Sequence, residues 1–326
     1  MKNVLGEEYK GDSRFVAECR KLQSIYRHEI GEEIYPYKDR YGNLHYYGNY
    51  ISNGDSPKEG CWKNFLTEYA FNYAKERTNP ENKKPYETIE SDRLFNNLLS
   101  SQPMAFNLFC PLRKMLKVSP ETATQVIKAA LPNYPICKVT GVDLEFIPKE
   151  YKELTGDKSA MDAIIRFVDK DDKEGFIAIE TKYSENLGTN VAYDRDEKGN
   201  KIPRKQSLMV VQELNCFKSD VESRIMNGEV RLTQIYRNFL LSEKYGLYEG
   251  LNSYSIILAP KNHPSTDDEF KSLYNELKEE YRNKINSIHL EDFVNAIINN
   301  SPSEYRIVFE RFYDRYLNFD KLKNID

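Results

Sequence analysis

Apolar residues recur at helical spacing over about the first 130 residues of the chain. This spacing predicts helices over residues 13–30, 62–75, 91–100 and 119–131. The Ser101-Gln102-Pro103 stretch is expected to break the helical pattern, and a further apolar stretch follows it up to residue 116. Residues 31–60 are rich in Tyr, Gly and Asn and predict an irregular loop or a short hairpin.

The pattern then changes to short apolar runs that are typical of strands. They predict strands over residues 137–147, 161–168 and 176–183, and an all-apolar buried strand over residues 254–259. A polar loop is expected over residues 185–203. Helical patterns cover residues 206–223, 230–245, 267–283, 290–298 and 303–318. The order of elements predicts an α/β fold in which helices flank both faces of a mixed sheet.

Two of the predicted strands carry charge at the ends of their apolar runs. Asp162 lies near the start of one strand, and Glu180-Thr181-Lys182 closes the next. A polar turn over residues 169–174 joins them, so the two strands are expected to be neighbours. Because alternate residues of a strand share a face, Glu180 and Lys182 should point the same way, toward Asp162.

Burying charged side chains within an apolar strand is costly unless they are paired or bind a ligand. Two carboxylates with an ammonium group beside them predict a site for a hard divalent cation. The Glu-x-Lys pattern recurs elsewhere in polar or helical sequence, but only the copy at Glu180 closes an apolar strand. The alternative interpretation is a surface hairpin with an exposed salt bridge.

Composition narrows the class of protein. The 326 residues are 40% hydrophobic and carry a formal net charge of -4, which argues against general adhesion to nucleic acid but allows a local basic groove. No apolar run approaches the roughly 20 residues that span a bilayer, so a cytoplasmic protein without membrane association is expected. The five cysteines form no CxxC pair, and GxGxxG, GK[ST] and GxSxG motifs are absent, which argues against zinc-knuckle, dehydrogenase, NTPase and serine hydrolase chemistry.

Beyond the hairpin, the residues resemble the PD-(D/E)xK nuclease superfamily, and within it a group of bacterial restriction endonucleases. The residues that carry the resemblance are Glu68, Ser100-Ser101-Gln102, residues 106–112, Glu145, residues 155–157 and 159–162, residues 179–185, and Gln234 within residues 232–238. One departure is Met161, where many members have a proline before the acid. The resemblance implies a restriction-endonuclease-like fold, with an N-terminal helical elaboration (1–60), a nuclease core (61–260) and a C-terminal helical extension packed on the core (261–326).

The resemblance also implies roles for individual residues. Asp162 and Glu180 would bind one or two Mg²⁺ ions, for which Mn²⁺ can substitute. The carbonyl of Thr181 and the carboxylate of Glu68 would add ligands. Lys182 would orient the attacking water and offset charge on the phosphorane, and its action as a base is left open.

Further residues are candidate contacts, each with an ordinary structural role as its alternative. Gln234 and Arg237 share a helix face and could hold the phosphate or the lysine. Ser101 and Gln102 could contact substrate, although a helix-ending turn explains them too. Glu145 is a candidate metal ligand.

The loop after the Glu180 strand is a candidate DNA contact. Its basic residues could grip backbone phosphates, and they are Arg195, Lys198, Lys201, Arg204 and Lys205. Acidic residues in the same loop dilute this charge, and a solvated charge run is the alternative.

These expectations together predict a Mg²⁺-dependent deoxyribonuclease that hydrolyses DNA phosphodiester bonds in restriction or phage defence. A homodimer and a cognate methyltransferase or other defence-system protein are further expected partners. The alternatives are a structure-selective repair nuclease, a nuclease that cuts RNA, and a catalytically inert nucleic-acid-binding protein of the same fold. The intact Asp162, Glu180 and Lys182 argue against the inert protein.

Overall fold

The computed structural model describes residues 2–84, 86–87, 89–156, 158–188, 191 and 193–324. Its α-helices are α1 (Lys2–Leu5), α2 (Arg14–Glu29), α3 (Glu68–Thr78), α4 (Ser91–Asn96), α5 (Ser101–Val118), α6 (Pro120–Ala130), α7 (Tyr151–Leu154), α8 (Lys205–Leu214), α9 (Val221–Met226), α10 (Gln234–Glu249), α11 (Thr266–Glu276), α12 (Leu290–Asn300) and α13 (Ser303–Tyr316). Two 3₁₀ helices cover Glu279–Lys284 and Phe319–Asn324. None of the helices in this described part of the chain combines the length and apolar character that crossing a bilayer requires.

A mixed five-stranded sheet lies at the centre. The strands of the molecule are β1 (Tyr37–Lys38), β2 (Leu44–His45), β3 (Lys138–Phe146), β4 (Met161–Val168), β5 (Glu174–Thr181), β6 (Tyr193–Arg195), β7 (Lys201–Pro203), β8 (Asn252–Ala259) and β9 (Ile285–His289). The central sheet has the order β3-β4-β5-β8-β9, in which β3, β4 and β5 are antiparallel and β5, β8 and β9 are parallel. The predicted α/β fold with a mixed sheet is confirmed.

Helices cover both faces of this sheet, which explains why its inner strands β4, β5 and β8 have largely apolar centres. One face packs on α5, whose Phe106, Leu108 and Phe109 are fully buried, together with α6, α12 and α13. The other face packs on α10. From Gly175 to Thr181 every residue of β5 is buried, so Glu180 lies in the interior rather than on a surface hairpin.

The four predicted strands are confirmed as β3, β4, β5 and β8, with ends that differ by a residue or two. Strand β9 was not predicted, because residues 284–289 were assigned to no element between the helices expected over residues 267–283 and 290–298. This strand lies beyond residue 260 and extends the central sheet into the C-terminal part of the chain.

Three helix predictions were wrong in detail. The helix expected from residue 62 begins only at Glu68, where the Thr67 hydroxyl caps it by accepting from the Ala70 N–H at 3.1 Å. The expected break at Ser101-Gln102-Pro103 is the start of α5, since the first turn of a helix has no partner for the N–H that proline lacks. Residues 206–223 form two helices, α8 and α9.

The polar loop expected over residues 185–203 contains the two-stranded ribbon β6–β7. A similar small ribbon, β1–β2, lies in the segment expected to be a loop or hairpin. Asp157, one of the residues that carry the resemblance, lies outside the described residues.

Candidate active site

Three acidic residues lie side by side across three neighbouring strands. Ala163 pairs with Ile179 of β5 and with Leu144 of β3. The preceding residue of β4, Asp162, therefore lies between Glu180 of β5 and Glu145 of β3. Residues that are directly opposite in antiparallel strands have Cβ atoms about 5 Å apart. The sheet therefore gathers three carboxylates into one row.

Asp162 is held by the strand that it faces. Its Oδ2 accepts hydrogen bonds from the backbone N–H of Thr181 at 2.7 Å and from the Thr181 hydroxyl at 2.8 Å. Both of these hydrogen bonds are made to Oδ2. The strand that carries Glu180 therefore fixes the orientation of the Asp162 carboxylate.

Glu180 is held from three directions. Its Oε1 accepts from the Lys182 ammonium and from the Gln234 amide, each at 2.7 Å. Its Oε2 accepts from the Asn238 amide at 2.5 Å. Gln234 and Asn238 are one turn apart on α10, which packs on this face of the sheet, so both side chains hold the Glu180 carboxylate from the same helix. The predicted proximity of Glu180 and Lys182 is confirmed by this contact.

Glu185 connects the end of the Glu180 strand to the start of α5. Its Oε1 accepts from the N–H and hydroxyl of Ser101 at 2.8 and 2.9 Å and from Arg93 at 3.0 Å. Burial raises the pKa of Glu185, but Lys182, Arg93 and the Ser101 donors outweigh it and hold the pKa below its usual range. Glu185 is therefore ionised and fixes the first turn of α5 beside Lys182.

Glu145 has an unusual backbone. Its φ of 48° lies in the left-handed region, which a residue with a side chain rarely adopts. Arg77 stabilises this turn by donating to the Glu145 carbonyl at 3.1 Å, and the Gln102 amide donates to the Glu145 carboxylate at 3.0 Å. Strained residues of this kind are concentrated at functional sites.

The carboxylates raise one another's proton affinity. Burial, reinforced by the charge of Asp162, raises the pKa of Glu180 to about 8 and that of Glu145 to about 7. Burial also raises the pKa of Asp162, although Lys182 and the Thr181 donors oppose it. A cation that binds beside these carboxylates would reduce the repulsion between them.

Lys182 behaves as a cation rather than as a base. Burial by itself lowers its pKa, but Glu180 and Asp162 outweigh that effect and hold the pKa above its usual range. The base role that the sequence left open is thus disfavoured, because a proton acceptor needs a pKa near the working pH.

These residues line a cavity of about 580 Å³. Its lining comprises Arg93, Ser101, Gln102, Glu145, Lys158, Ser159, Ala160, Asp162, Glu180, Lys182, Glu185, Asn186, Gln234, Arg237 and Asn238. The three basic residues besides Lys182 come from three separate segments of the chain and give the cavity groups that attract a phosphate.

The structure does not bring Glu68 to this cavity. Glu68 is exposed on the first turn of α3, where a carboxylate is stabilised by the helix dipole. The α3 residue that reaches the site is Arg77 near the other end of the helix, through its bonds to the carbonyls of Leu144 and Glu145. The third carboxylate beside Asp162 and Glu180 is therefore Glu145.

The basic residues after β5 are also placed outside the cavity lining. Lys201 and Lys205 are exposed on and beside the β6–β7 ribbon, and Arg204 donates to the Gly156 carbonyl. Sequence reasoning gave no role to Asn238 or Arg93. Only their contacts with distant carboxylates show that they belong to the site.

The donor set fits a divalent cation. Within the described part of the chain, no three His, Cys, Asp or Glu side chains stand ready as joint ligands of one ion. Mg²⁺, however, is usually held by one or two carboxylates, while water and phosphate oxygens complete its shell. Asp162 and Glu180 supply the two carboxylates that this requires, and the mutual repulsion of the carboxylates favours an ion between them.

We expect the metal-free protein to lose stability between about pH 4.5 and about pH 8. The pKa values of Glu145 and Glu180, about 7 and about 8, lie above the 4.5 of an ordinary glutamate, so the folded protein holds extra protons. The stability that these protons provide is complete below the unfolded pKa and is lost as the pH rises through the folded values. Thermal unfolding in a chelator measures this loss as a fall in Tm of a few degrees.

Glu180→Gln is the matched variant for this experiment, because it keeps the shape of the side chain and cannot titrate. Its Tm should fall less over the same pH interval. An equal fall in the variant and the wild type would contradict the assignment of the titration to Glu180.

The chain was also compared with known proteins. Neither the curated proteins nor the solved structures contain a significant match. A family model described as the PD-(D/E)XK nuclease superfamily matches residues 10–318, nearly the whole chain. The match includes α2 and α13 as well as the sheet that carries Asp162 and Glu180. The chain therefore belongs to the PD-(D/E)XK nuclease superfamily.

Proposed function

We propose that this protein is a Mg²⁺-dependent deoxyribonuclease that hydrolyses DNA phosphodiester bonds in restriction or phage defence. The observation that carries the proposal is the meeting of Asp162, Glu180 and Lys182 in one cavity, with the ammonium 2.7 Å from the Glu180 carboxylate. Nucleases of this superfamily generally depend on divalent metals, which agrees with the carboxylate row.

Asp162, Glu180 and the carbonyl of Thr181 are the groups that would hold Mg²⁺ or Mn²⁺. When bound, the ion would polarise the scissile phosphate and lower the pKa of a bound water. The fixed Oδ2 of Asp162 and the amide clamp on Glu180 keep both carboxylates oriented before any ligand arrives. Such orientation by neighbouring groups is what keeps a metal site selective and active.

The remaining residues of the cavity act on the substrate. Lys182 stays protonated, so it orients the attacking water and stabilises the negative charge that develops on the phosphate. Arg237, Lys158 and Arg93 provide charge for the flanking phosphates. Ser101 and Gln102 lie at the start of α5, where they limit how far a strand of substrate can enter.

The biological setting of the proposal rests on the resemblance to bacterial restriction endonucleases. It includes a cytoplasmic location, a homodimer that cuts both strands, and a cognate methyltransferase or other defence-system protein. Each of these is a separate proposal that biochemical measurements can address one at a time.

The test is cleavage of plasmid, phage, branched and single-stranded DNA and of RNA, with Mg²⁺ or with a chelator. We expect discrete fragments of duplex DNA in Mg²⁺ only, and their loss in Asp162→Asn. A smear, or preference for branched DNA, would favour a repair nuclease, and cleavage of RNA alone would contradict the deoxyribonuclease. Intact substrates of every kind, with DNA still bound, would indicate an inert protein of the same fold.

A further inference from the structure

The β6–β7 ribbon has no buried face. Its strands pair Tyr193 with Pro203, Asp194 with Ile202 and Arg195 with Lys201, apart from the central sheet. Every residue from 193 to 203 is exposed or half-exposed. A two-stranded ribbon by itself is marginally stable in water, and β7 also contacts α9. The ribbon therefore lies on the surface of the molecule, outside the central sheet.

The tip of the ribbon is nonetheless well ordered by hydrogen bonds. Asp196 Oδ1 accepts from the N–H groups of Lys198 and Asn200 at 2.9 and 2.7 Å, and its Oδ2 accepts from the Asn200 amide at 2.9 Å. The Arg195 guanidinium donates to the Gly199 carbonyl at 2.7 Å. These donors surround the Asp196 carboxylate, so its negative charge is directed into the turn.

A second acid of the ribbon is occupied in the same way. Asp194 Oδ2 accepts from the backbone N–H of Lys205 at 2.9 Å. The sequence analysis treated the acids of this segment as diluting its positive charge. The structure shows that Asp194 and Asp196 accept hydrogen bonds from the segment's own backbone, whereas Glu197 is exposed together with Arg195, Lys198 and Lys201.

Two of these basic side chains form an unfavourable pair. Arg195 and Lys201 are direct cross-strand partners on the ribbon. They flank the half-exposed ring of Tyr193, with Lys201 Nζ 4.3 Å and Arg195 Cζ 5.5 Å from its centroid. Within the described residues, no carboxylate lies at ion-pair distance from either. Like charges directly opposite each other destabilise a strand pair, so this arrangement indicates an anion that is supplied from outside.

The base of the ribbon lies beside the candidate active site. Arg204, the residue after β7, donates to the Gly156 carbonyl at 2.5 Å. Shortly after Gly156, residues Lys158, Ser159 and Ala160 line the cavity. A substrate strand that leaves the cavity on this side would meet the ribbon.

We propose that the β6–β7 ribbon enters the major groove of duplex DNA next to the cleaved bond, with Arg195 and Lys201 on backbone phosphates. The major groove, roughly 12 Å wide, admits a two-stranded ribbon. This inference rests on the proposed function, and it adds that the substrate is a duplex that is held outside the cavity as well as within it.

The β1–β2 hairpin provides a matched control. Its Asp39 accepts from the N–H groups of Tyr41 and Asn43 and from the Asn43 amide, which is the same turn as that of Asp196. Its cross-strand partners are Lys38 with Leu44, so it carries no like-charge pair. Lys38→Ala/Arg40→Ala removes two cations from an equivalent hairpin, as Arg195→Ala/Lys201→Ala does from the ribbon.

The experiment measures duplex binding by fluorescence anisotropy over a salt series, with Ca²⁺ replacing Mg²⁺. For Arg195→Ala/Lys201→Ala we expect weaker binding and a slope of log K against log salt that is smaller by roughly 2, about 0.9 for each lost phosphate contact. The control variant should match the wild type. The Tm of the ribbon variant should be unchanged or higher, since a repulsion has been removed, whereas a structural role would lower it.

Three results would overturn the inference: an unchanged slope in the ribbon variant, an equal loss in the control variant, or an equal loss on single-stranded DNA. A wild type that binds no DNA would also overturn it. The favoured partner of the ribbon would then be the acidic surface of another protein. Binding through the ribbon without cleavage would leave the inference standing and contradict the proposed function. DNA cleavage by the wild type, together with unchanged DNA binding in the ribbon variant, would support the proposed function and overturn the inference.

Discussion

Lys182→Met should lower the rate of DNA cleavage by about 10²–10⁴-fold, the range expected for a positioned catalytic group. The ammonium lies 2.7 Å from Glu180 and remains protonated, so the fold places a positive charge directly against the carboxylate row. Methionine keeps most of the side-chain length and removes the charge. Single-turnover cleavage in Mg²⁺ measures the effect without interference from product release.

The same variant should also shift the pH dependence of cleavage. Lys182 opposes the rise in the pKa of Glu180, so its removal should raise that pKa further. If the ionised form of Glu180 is required for cleavage, the rise of the cleavage rate with pH should then move to higher pH. Lys173→Met is the matched control, because Lys173 is exposed in the turn at the opposite end of the same two strands. A Lys182→Met rate within threefold of the wild type would exclude the proposed role.

Arg315→Met should destabilise the protein by about 3 kcal/mol or more, the cost of leaving several buried acceptors unpaired. Arg315 on α13 is 1% exposed. It donates to the carbonyl and side chain of Asn64 at 2.8 and 2.6 Å and to the Gln23 side chain at 3.0 Å. Its guanidinium also lies 4.0 Å from the centroid of the Tyr26 ring.

The consequence of this network extends to the active site. Gln23 on α2 donates both to the Arg315 carbonyl and to the Tyr183 hydroxyl, each at 3.0 Å. Tyr183 follows Lys182 in the chain, so helices from both ends of the chain help to fix the end of the Glu180 strand.

Urea unfolding, followed by the free energy of unfolding, measures the effect of Arg315→Met. Arg311→Met is its control, since Arg311 is one turn earlier on the exposed side of α13 and makes a single 3.3 Å bond to the Leu66 carbonyl. The control should change the stability by about 0.5 kcal/mol or less. A loss below about 1 kcal/mol for Arg315→Met would contradict the structural role of the network.

The strands that carry the acids could be predicted from sequence because their signals are local. Alternation along β4 and β5, with charge at the ends, places Asp162, Glu180 and Lys182 together without knowledge of the rest of the chain. Asn238 could not be found in this way, since it lies 58 positions from Glu180 and meets it only because α10 packs over the sheet.

The errors also have physical causes. Pro103 was expected to end a helix, although in the first turn proline lacks only an N–H that has no partner. Glu68 was expected to bind metal because of the resemblance, on a helix over residues 62–75. The cap at Thr67 instead makes Glu68 the first residue of α3, where it is exposed to the solvent. Strand β9 has only two apolar residues in five and is defined by its pairing with β8, which local sequence does not show.

The most direct test of the central claim is the location of the metal. Crystals soaked in Mn²⁺ and measured at its absorption edge would show an anomalous peak wherever the ion binds. The account predicts a peak in contact with the carboxylates of Asp162 and Glu180, at roughly 2.1–2.2 Å from their oxygens, and its loss in Asp162→Asn. A protein that cleaves DNA in Mn²⁺ but binds the ion elsewhere, or binds none in this cavity, would contradict it.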